Sequence, residues 1–118
     1  MHSVRERTFL ELRGLTFNIF FQGILGIGVG RRLCPVNEES KDTLCLDNVV
    51  EYINSHGPYD FVALQEASRW DRLIEKSPLL QQMNYVEYQP ARESMVTFYD
   101  RRFNVDFVIK SYCQDSGR

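Results

Sequence analysis

The chain is short of the residues that announce most chemistries by their count alone. Its 118 residues include two histidines, His2 and His56, and three cysteines, Cys34, Cys45 and Cys113, with no CxxC spacing. A zinc site needs four ligands, or three and an open position, at recognisable intervals, and these five residues do not supply them. Three cysteines also leave one unpaired in any disulfide scheme, which favours a reducing, intracellular setting, cytoplasmic or nuclear. No GxSxG elbow appears, so nothing sets up a serine nucleophile. Positive charge is not in excess: 14 Lys and Arg against 16 Asp and Glu leave a net charge of −2 and a pI near 5.7. A domain that grips nucleic acid by charge alone carries a basic footprint, and this chain lacks one. Long apolar runs are missing too. The longest, from Phe17 to Gly30, is broken by Asn18, Gln22 and four glycines, and the start, Met-His-Ser-Val-Arg-Glu-Arg, leads into no apolar signal region. Neither a membrane span nor a signal peptide is expected.

What is present is ordinary for a globular protein: 43% hydrophobic and 25% charged residues, with no internal repeat or low-complexity tract. At this length one core, and one domain at most, can form. Along 15–22 the residues Leu15, Phe17, Ile19 and Phe21 alternate with Thr16, Asn18, Phe20 and Gln22, the period of a strand. Asn18 then projects from the less apolar face. The glycine-rich stretch 23–35 reads as a loop. Its glycines do not form a phosphate-binding motif, because Arg31 and Val29 stand where a glycine and a lysine are required. A helix starting between 38 and 42 is expected from Leu46, Val49, Val50 and Ile53 at i, i+3, i+4 and i+7, with Gly57 and Pro58 as its stop. His56 falls in the turn that follows, where a capping or solvent-facing role is the ordinary one.

Residues 60–66 form a nearly unbroken apolar run ending in Gln65 and Glu66, which reads as a central strand buried on both faces. A second helical stretch, 70–83, is broken by Pro78. Strands are expected at 85–89, 94–100 and 103–110, the last two paired as an antiparallel hairpin across Asp100-Arg101-Arg102 through a loose turn. The order of elements predicts an α/β fold with a mixed sheet and flanking helices.

The constellation with chemical content is Asn18 with Gln65 and Glu66, at the ends of two predicted central strands. Ligand sites in open α/β sheets gather at the carboxyl ends of strands. A carboxylate there suits magnesium, which takes oxygen ligands and only one or two carboxylates beside water and substrate phosphate. Asn18 would orient that carboxylate or contact the phosphate, with Gln65 packing or hydrogen-bonding behind Glu66. The alternative is structural: Glu66 caps the next helix and Asn18 satisfies a backbone group. Arg92, with Arg101 and Arg102, is a candidate for phosphate contact, against an ordinary role as solvated loop residues. Tyr99 is a candidate substrate contact, against a role in the core or an interface.

Leu15-Thr16-Phe17-Asn18-Ile19, then Tyr59-Asp60-Phe61-Val62-Ala63-Leu64-Gln65-Glu66, then Met95-Val96-Thr97-Phe98-Tyr99-Asp100 with Phe103 soon after, resemble the first three core segments of the endonuclease/exonuclease/phosphatase superfamily. The resemblance runs from about residue 12 to 112. It implies the N-terminal half of a four-layer α/β sandwich and hydrolysis of phosphate esters by water activated at Mg2+ or Mn2+. It implies further that Asn18 and Glu66 are active-site residues, with Glu66 the metal ligand. Relatives act on nucleic acid, inositol phosphates, sphingomyelin headgroups and messenger-RNA tails, so the substrate class stays open. The family's later Asp-x-Asn and Asp-His segments have no counterpart here, and Phe20 stands where some relatives carry an acidic residue. The resemblance therefore implies a downstream segment or partner chain that completes the fold. The competing expectation is an inactive product, or an interaction module that offers a strand edge to another chain.

Overall fold

A computed structural model of the chain describes residues 11–88 and 94–104. Four strands form one sheet: β1 (Gly14–Asn18), β2 (Phe61–Gln65), β3 (Met83–Tyr88) and β4 (Met95–Asp100), in the spatial order β1-β2-β4-β3. β1 and β2 run parallel, with Leu15 opposite Val62 and Asn18 opposite Gln65. β4 is antiparallel to both β2 and β3. The mixed α/β architecture expected from the order of elements is the one observed.

The parallel pair is joined by a crossover that includes α1 (Phe21–Leu25), α2 (Gly30–Leu33) and α3 (Leu44–His56). α3 starts at Leu44 because Thr43 caps it. The Thr43 hydroxyl accepts from Leu46 N at 3.2 Å and donates to the Ile24 carbonyl at 3.0 Å, so one residue starts α3 and ties α1 to it. Its apolar stripe, Leu46, Val49, Val50 and Ile53, is buried as the spacing predicts. His56 ends the helix, stacks on Tyr52 at 4.1 Å, and places Nδ1 2.9 Å from the Tyr52 carbonyl. α4 (Trp70–Lys76) and α5 (Pro78–Gln81) are the two pieces into which Pro78 divides the second helical stretch, with Ser77 capping α5 through Leu80 N.

Three expectations are corrected. The first strand ends at Asn18 rather than at residue 22, because the chain turns there into α1. The glycine-rich stretch is two short helices and not a loop throughout. Gly26 closes α1 in the left-handed region at φ 73°, and Gly30 brings α2 against α1 so closely that a Cβ would lie 2.0 Å from the Gln22 carbonyl oxygen. Glycine serves close approach here, a use that composition cannot distinguish from flexibility. Finally, the hairpin partner of β4 is β3: both edges of β4 are taken, by β2 and β3, so the strand expected at 103–110 does not pair with it over 95–100. Most of that expected strand, from residue 105, lies outside the described residues.

Val62, Leu64, Val96 and Phe98 share one face of the sheet and cluster with Ile19, Leu46, Ile53, Leu73 and Leu80. The opposite face is less enclosed. Phe61, Ala63 and Gln65 on β2 are only half-buried, so β2 is central in the sheet yet fully buried on one face alone. No described helix is long and apolar enough to cross a membrane.

Candidate functional site

The carboxyl ends of β1 and β2 lie side by side. The parallel ladder continues one step beyond them, through Ile19 N donating to the Gln65 carbonyl at 3.1 Å, and then both chains turn sharply. Each turn uses a non-glycine residue in the left-handed region: Phe20 at φ 64° and Glu66 at φ 55°. That conformation costs roughly 1–2 kcal/mol for a residue with a Cβ, and it persists only where the surroundings fix it. Two such residues on adjacent strand ends mark this corner of the fold as specially held.

What holds it is a closed set of hydrogen bonds. Phe20 N donates to Asn18 Oδ1 at 3.0 Å, a local turn that fixes which way the Asn18 carboxamide faces. Its Nδ2 is then free to donate to Glu66 Oε2 at 3.1 Å. Phe21 N, the first amide of α1, donates to Glu66 Oε1 at 3.1 Å. Behind Glu66, the Ala67 amide donates to the carbonyl of buried Ser94 at 2.8 Å, which ties the turn to the start of β4. Each carboxylate oxygen accepts one bond and keeps lone-pair capacity for another partner.

No cationic side chain among the described residues pairs with Glu66. The arginine nearest in sequence, Arg69, reaches Asp71 at 3.6 Å instead. Glu66 is a half-buried, oriented carboxylate whose oxygens each accept one N–H, and it is a single oxygen ligand of the kind a hard divalent cation takes alongside others. Among the described residues no group of three or more His, Cys, Asp and Glu comes together. Glu66 would therefore supply one carboxylate, and an ion there would complete its shell with water, a phosphate ester, or groups outside the described residues.

The structure brings Asn18 and Glu66 together and sets Gln65, Tyr99 and Arg102 apart from them. Gln65 does not stand behind Glu66: its Nε2 turns back along the sheet and donates to Thr16 Oγ1 at 3.1 Å and to the Ala63 carbonyl at 3.3 Å. Tyr99 pairs with Phe61, the first residue of β2, about 16 Å from Glu66 at about 3.3 Å per residue. It belongs to the other end of the sheet. Arg92 lies outside the described residues, in the β3–β4 connection that leaves from Tyr88 and returns at Ser94. Arg102 is taken up by Asp60 and Asp100. Glu66 does not cap α4, whose N-cap is Arg69 without a side-chain acceptor. It serves α1 instead. The contributions of Phe20 and Phe21 were invisible in the sequence, since both act through backbone amides.

Cys34 and Cys45 form a disulfide, their Cα atoms 5.3 Å apart. The pairing removes two of the three cysteines from the argument for a reducing setting. Cys113 lies outside the described residues.

Comparison with curated proteins finds a match of 36% identity over 90 residues, 75% of this chain, to an uncharacterized protein of Acanthamoeba polyphaga mimivirus. The matched segment makes up 18% of that viral protein. No family model and no solved structure matches the chain.

Proposed function

We propose that this chain carries the metal-binding part of a magnesium-dependent phosphoesterase of the endonuclease/exonuclease/phosphatase type. The observation that supports this most is the Asn18–Glu66 pair, oriented through the amides of Phe20 and Phe21 at the carboxyl ends of two parallel strands. In this reading Glu66 binds Mg2+, or Mn2+ in its place. When bound, the ion neutralises charge that builds on the phosphate and the leaving oxygen during attack by water. Asn18 holds the carboxylate in register and contributes a polar edge to the substrate. Arg92 and Tyr99 remain candidate substrate contacts, Tyr99 only for a substrate long enough to reach the far end of the sheet. The groups that position the nucleophile come from a downstream segment or a partner chain. The substrate is a phosphate ester, whether nucleic acid or a phospholipid or inositol headgroup. An intracellular setting belongs to the same proposal, and the redox state of the Cys34–Cys45 pair bears on it directly.

The test is a calorimetric Mg2+ titration of the wild type and Glu66→Gln, with cleavage of bis(p-nitrophenyl) phosphate measured alongside. The expected result is at least tenfold weaker Mg2+ binding in the variant, and loss of whatever Mg2+-dependent cleavage the wild type shows. Equal affinity in the two proteins would sink the assignment.

A second reading rests on β1, which pairs with β2 on one edge and with no described strand on the other. Leu12, two residues before β1, and Tyr52, whose ring lies 5.6 Å from that of Phe17, are exposed. An edge of this kind can accept a strand from another chain, so an interaction module is the alternative. It predicts a stable complex whose formation is insensitive to Glu66→Gln and to Mg2+.

A further inference from the structure

The Cys34–Cys45 bridge lies against the segment that carries the candidate site. Cys34, just after α2, is buried, whereas Cys45, the second residue of α3, is only partly so. Gly23, in the middle of α1, rests directly on the two sulfurs: a Cβ there would stand 2.8 Å from Cys34 Sγ and 3.1 Å from Cys45 Sγ. The first amide of the same helix, Phe21 N, is the one that binds Glu66. Cys45 also lines a cleft of about 320 Å³ shared with Asn18, Phe20, Asn48 and Tyr52. Cys45 is thus the more exposed cysteine of the pair, and the helix seated on both sulfurs reaches the candidate site.

We propose that Cys34–Cys45 is a site of thiol–disulfide exchange with a dithiol reductant that enters by this cleft, and that its redox state sets how firmly α1 holds its first amide on Glu66. A thiolate of the reductant attacks Cys45 Sγ, forms a mixed disulfide there and expels Cys34 as a thiolate, which takes a proton from water. The second thiolate of the reductant attacks its own sulfur in the mixed disulfide and expels Cys45, leaving two cysteine thiols on this chain and an oxidised dithiol. Cys45 is a good leaving group because it sits in the first turn of a 13-residue helix, where the helix dipole favours a thiolate. Two thiols cannot stay at bonding distance, and with Gly23 lying against both sulfurs their separation loosens α1. This inference does not depend on whether Glu66 binds a metal.

The experiment uses the full chain with Cys113→Ser, so that only the pair reacts, and dithiothreitol as the dithiol. Alkylation and mass measurement should count no free thiols before reduction and two after it. Amide hydrogen exchange at Phe21, Gly23 and Ile24 should quicken at least tenfold on reduction, while Val62, Leu64, Val96 and Phe98 keep their protection. With glutathione in place of the dithiol, the trapped mixed disulfide should map to Cys45. A Cys34→Ala/Cys45→Ala variant should show the faster exchange under oxidant as well, and the reduced protein gives the same comparison if that variant does not fold. Two free thiols before reduction, unchanged exchange in α1, loss of protection spread evenly over the sheet, or glutathione on Cys34 would each overturn the proposal. Glu66→Gln separates the readings, since it should quicken Phe21 exchange in both redox states whatever becomes of metal binding.

Discussion

Glu66 holds a backbone angle that favours glycine, and it does so with both carboxylate oxygens engaged. Hydrogen bonds to a charged group contribute about 1.5–3 kcal/mol each, which more than offsets a left-handed residue. Asn18 is the pivot of this arrangement, because it accepts from Phe20 and donates to Glu66 at once. Asn18→Leu should therefore lower stability by about 2 kcal/mol, read by urea unfolding, and weaken divalent-cation binding by about 10–100-fold. A variant as stable as the wild type would show that the carboxamide orients nothing. The pair was legible in the sequence because a polar residue at the end of an apolar strand is conspicuous. Its supports were not, because Phe20 and Phe21 act through main-chain N–H groups that every residue but proline possesses. Gln65 was misplaced because its carboxamide bonds Thr16 across the β1–β2 pair, a contact 49 residues apart in the chain.

Among the elements, α3 was the most legible, since its buried stripe and its Gly57-Pro58 stop both follow local rules. Only its start depends on Thr43, whose hydroxyl serves α3 and α1 together. Thr43→Ala should cost about 2 kcal/mol, the upper end of the range for a lost cap, because a second buried hydrogen bond goes with it. Thr43→Ser should recover most of the loss in thermal unfolding. A tertiary cluster that no sequence pattern announced fastens the segment before α3 to α4. Asp42, its side chain 10% exposed, accepts from Arg72 at 3.0 Å and from Lys76 at 2.8 Å, and Lys76 reaches on to Asp47. The Arg72 guanidinium, and then the Lys76 ammonium, hold the Asp42 carboxyl below the ordinary carboxylate range despite its burial. The sign follows from linkage. The stabilisation is complete above the unfolded pKa near 4 and is lost as pH falls through the lower folded value. Denaturant midpoints measured from pH 6 to pH 2 should drop below about pH 4, and Asp42→Asn should reduce stability at pH 6 while flattening that acid limb. An acid limb of unchanged height in Asp42→Asn would show that Asp42 contributes nothing to it.

At the scale of the molecule, the sheet keeps its two faces unequal. Val62, Leu64, Val96 and Phe98 close one core with the helices, and Phe61, Ala63 and Gln65 leave the other face half open. Apolar composition alone could not tell this from a strand enclosed on both sides, since Phe61 and Ala63 suit either setting. Leu64→Ala should cost about 3 kcal/mol, and an equivalent truncation on the half-open face, Phe61→Ala, should cost less; equilibrium denaturation of the two variants decides whether the faces differ as described. The fold class was legible because alternation between helix and strand patterns limits the layouts a chain can take. The strand order was not: that β4 inserts between β2 and β3 is a long-range pairing, and its antiparallel register on β2 sets Tyr99 opposite Phe61, away from Glu66.

The proposed function rests on the Asn18–Glu66 corner taking a divalent cation. Its most direct test is a titration with Mn2+ followed through the amide signals of the 15N-labelled chain. Substoichiometric Mn2+ should broaden the Asn18 side-chain amide and the backbone amides of Phe20, Phe21 and Ala67 before all others. Excess Mg2+ should restore them, and Glu66→Gln should abolish the effect. Broadening centred elsewhere, or the same broadening in Glu66→Gln, would contradict it.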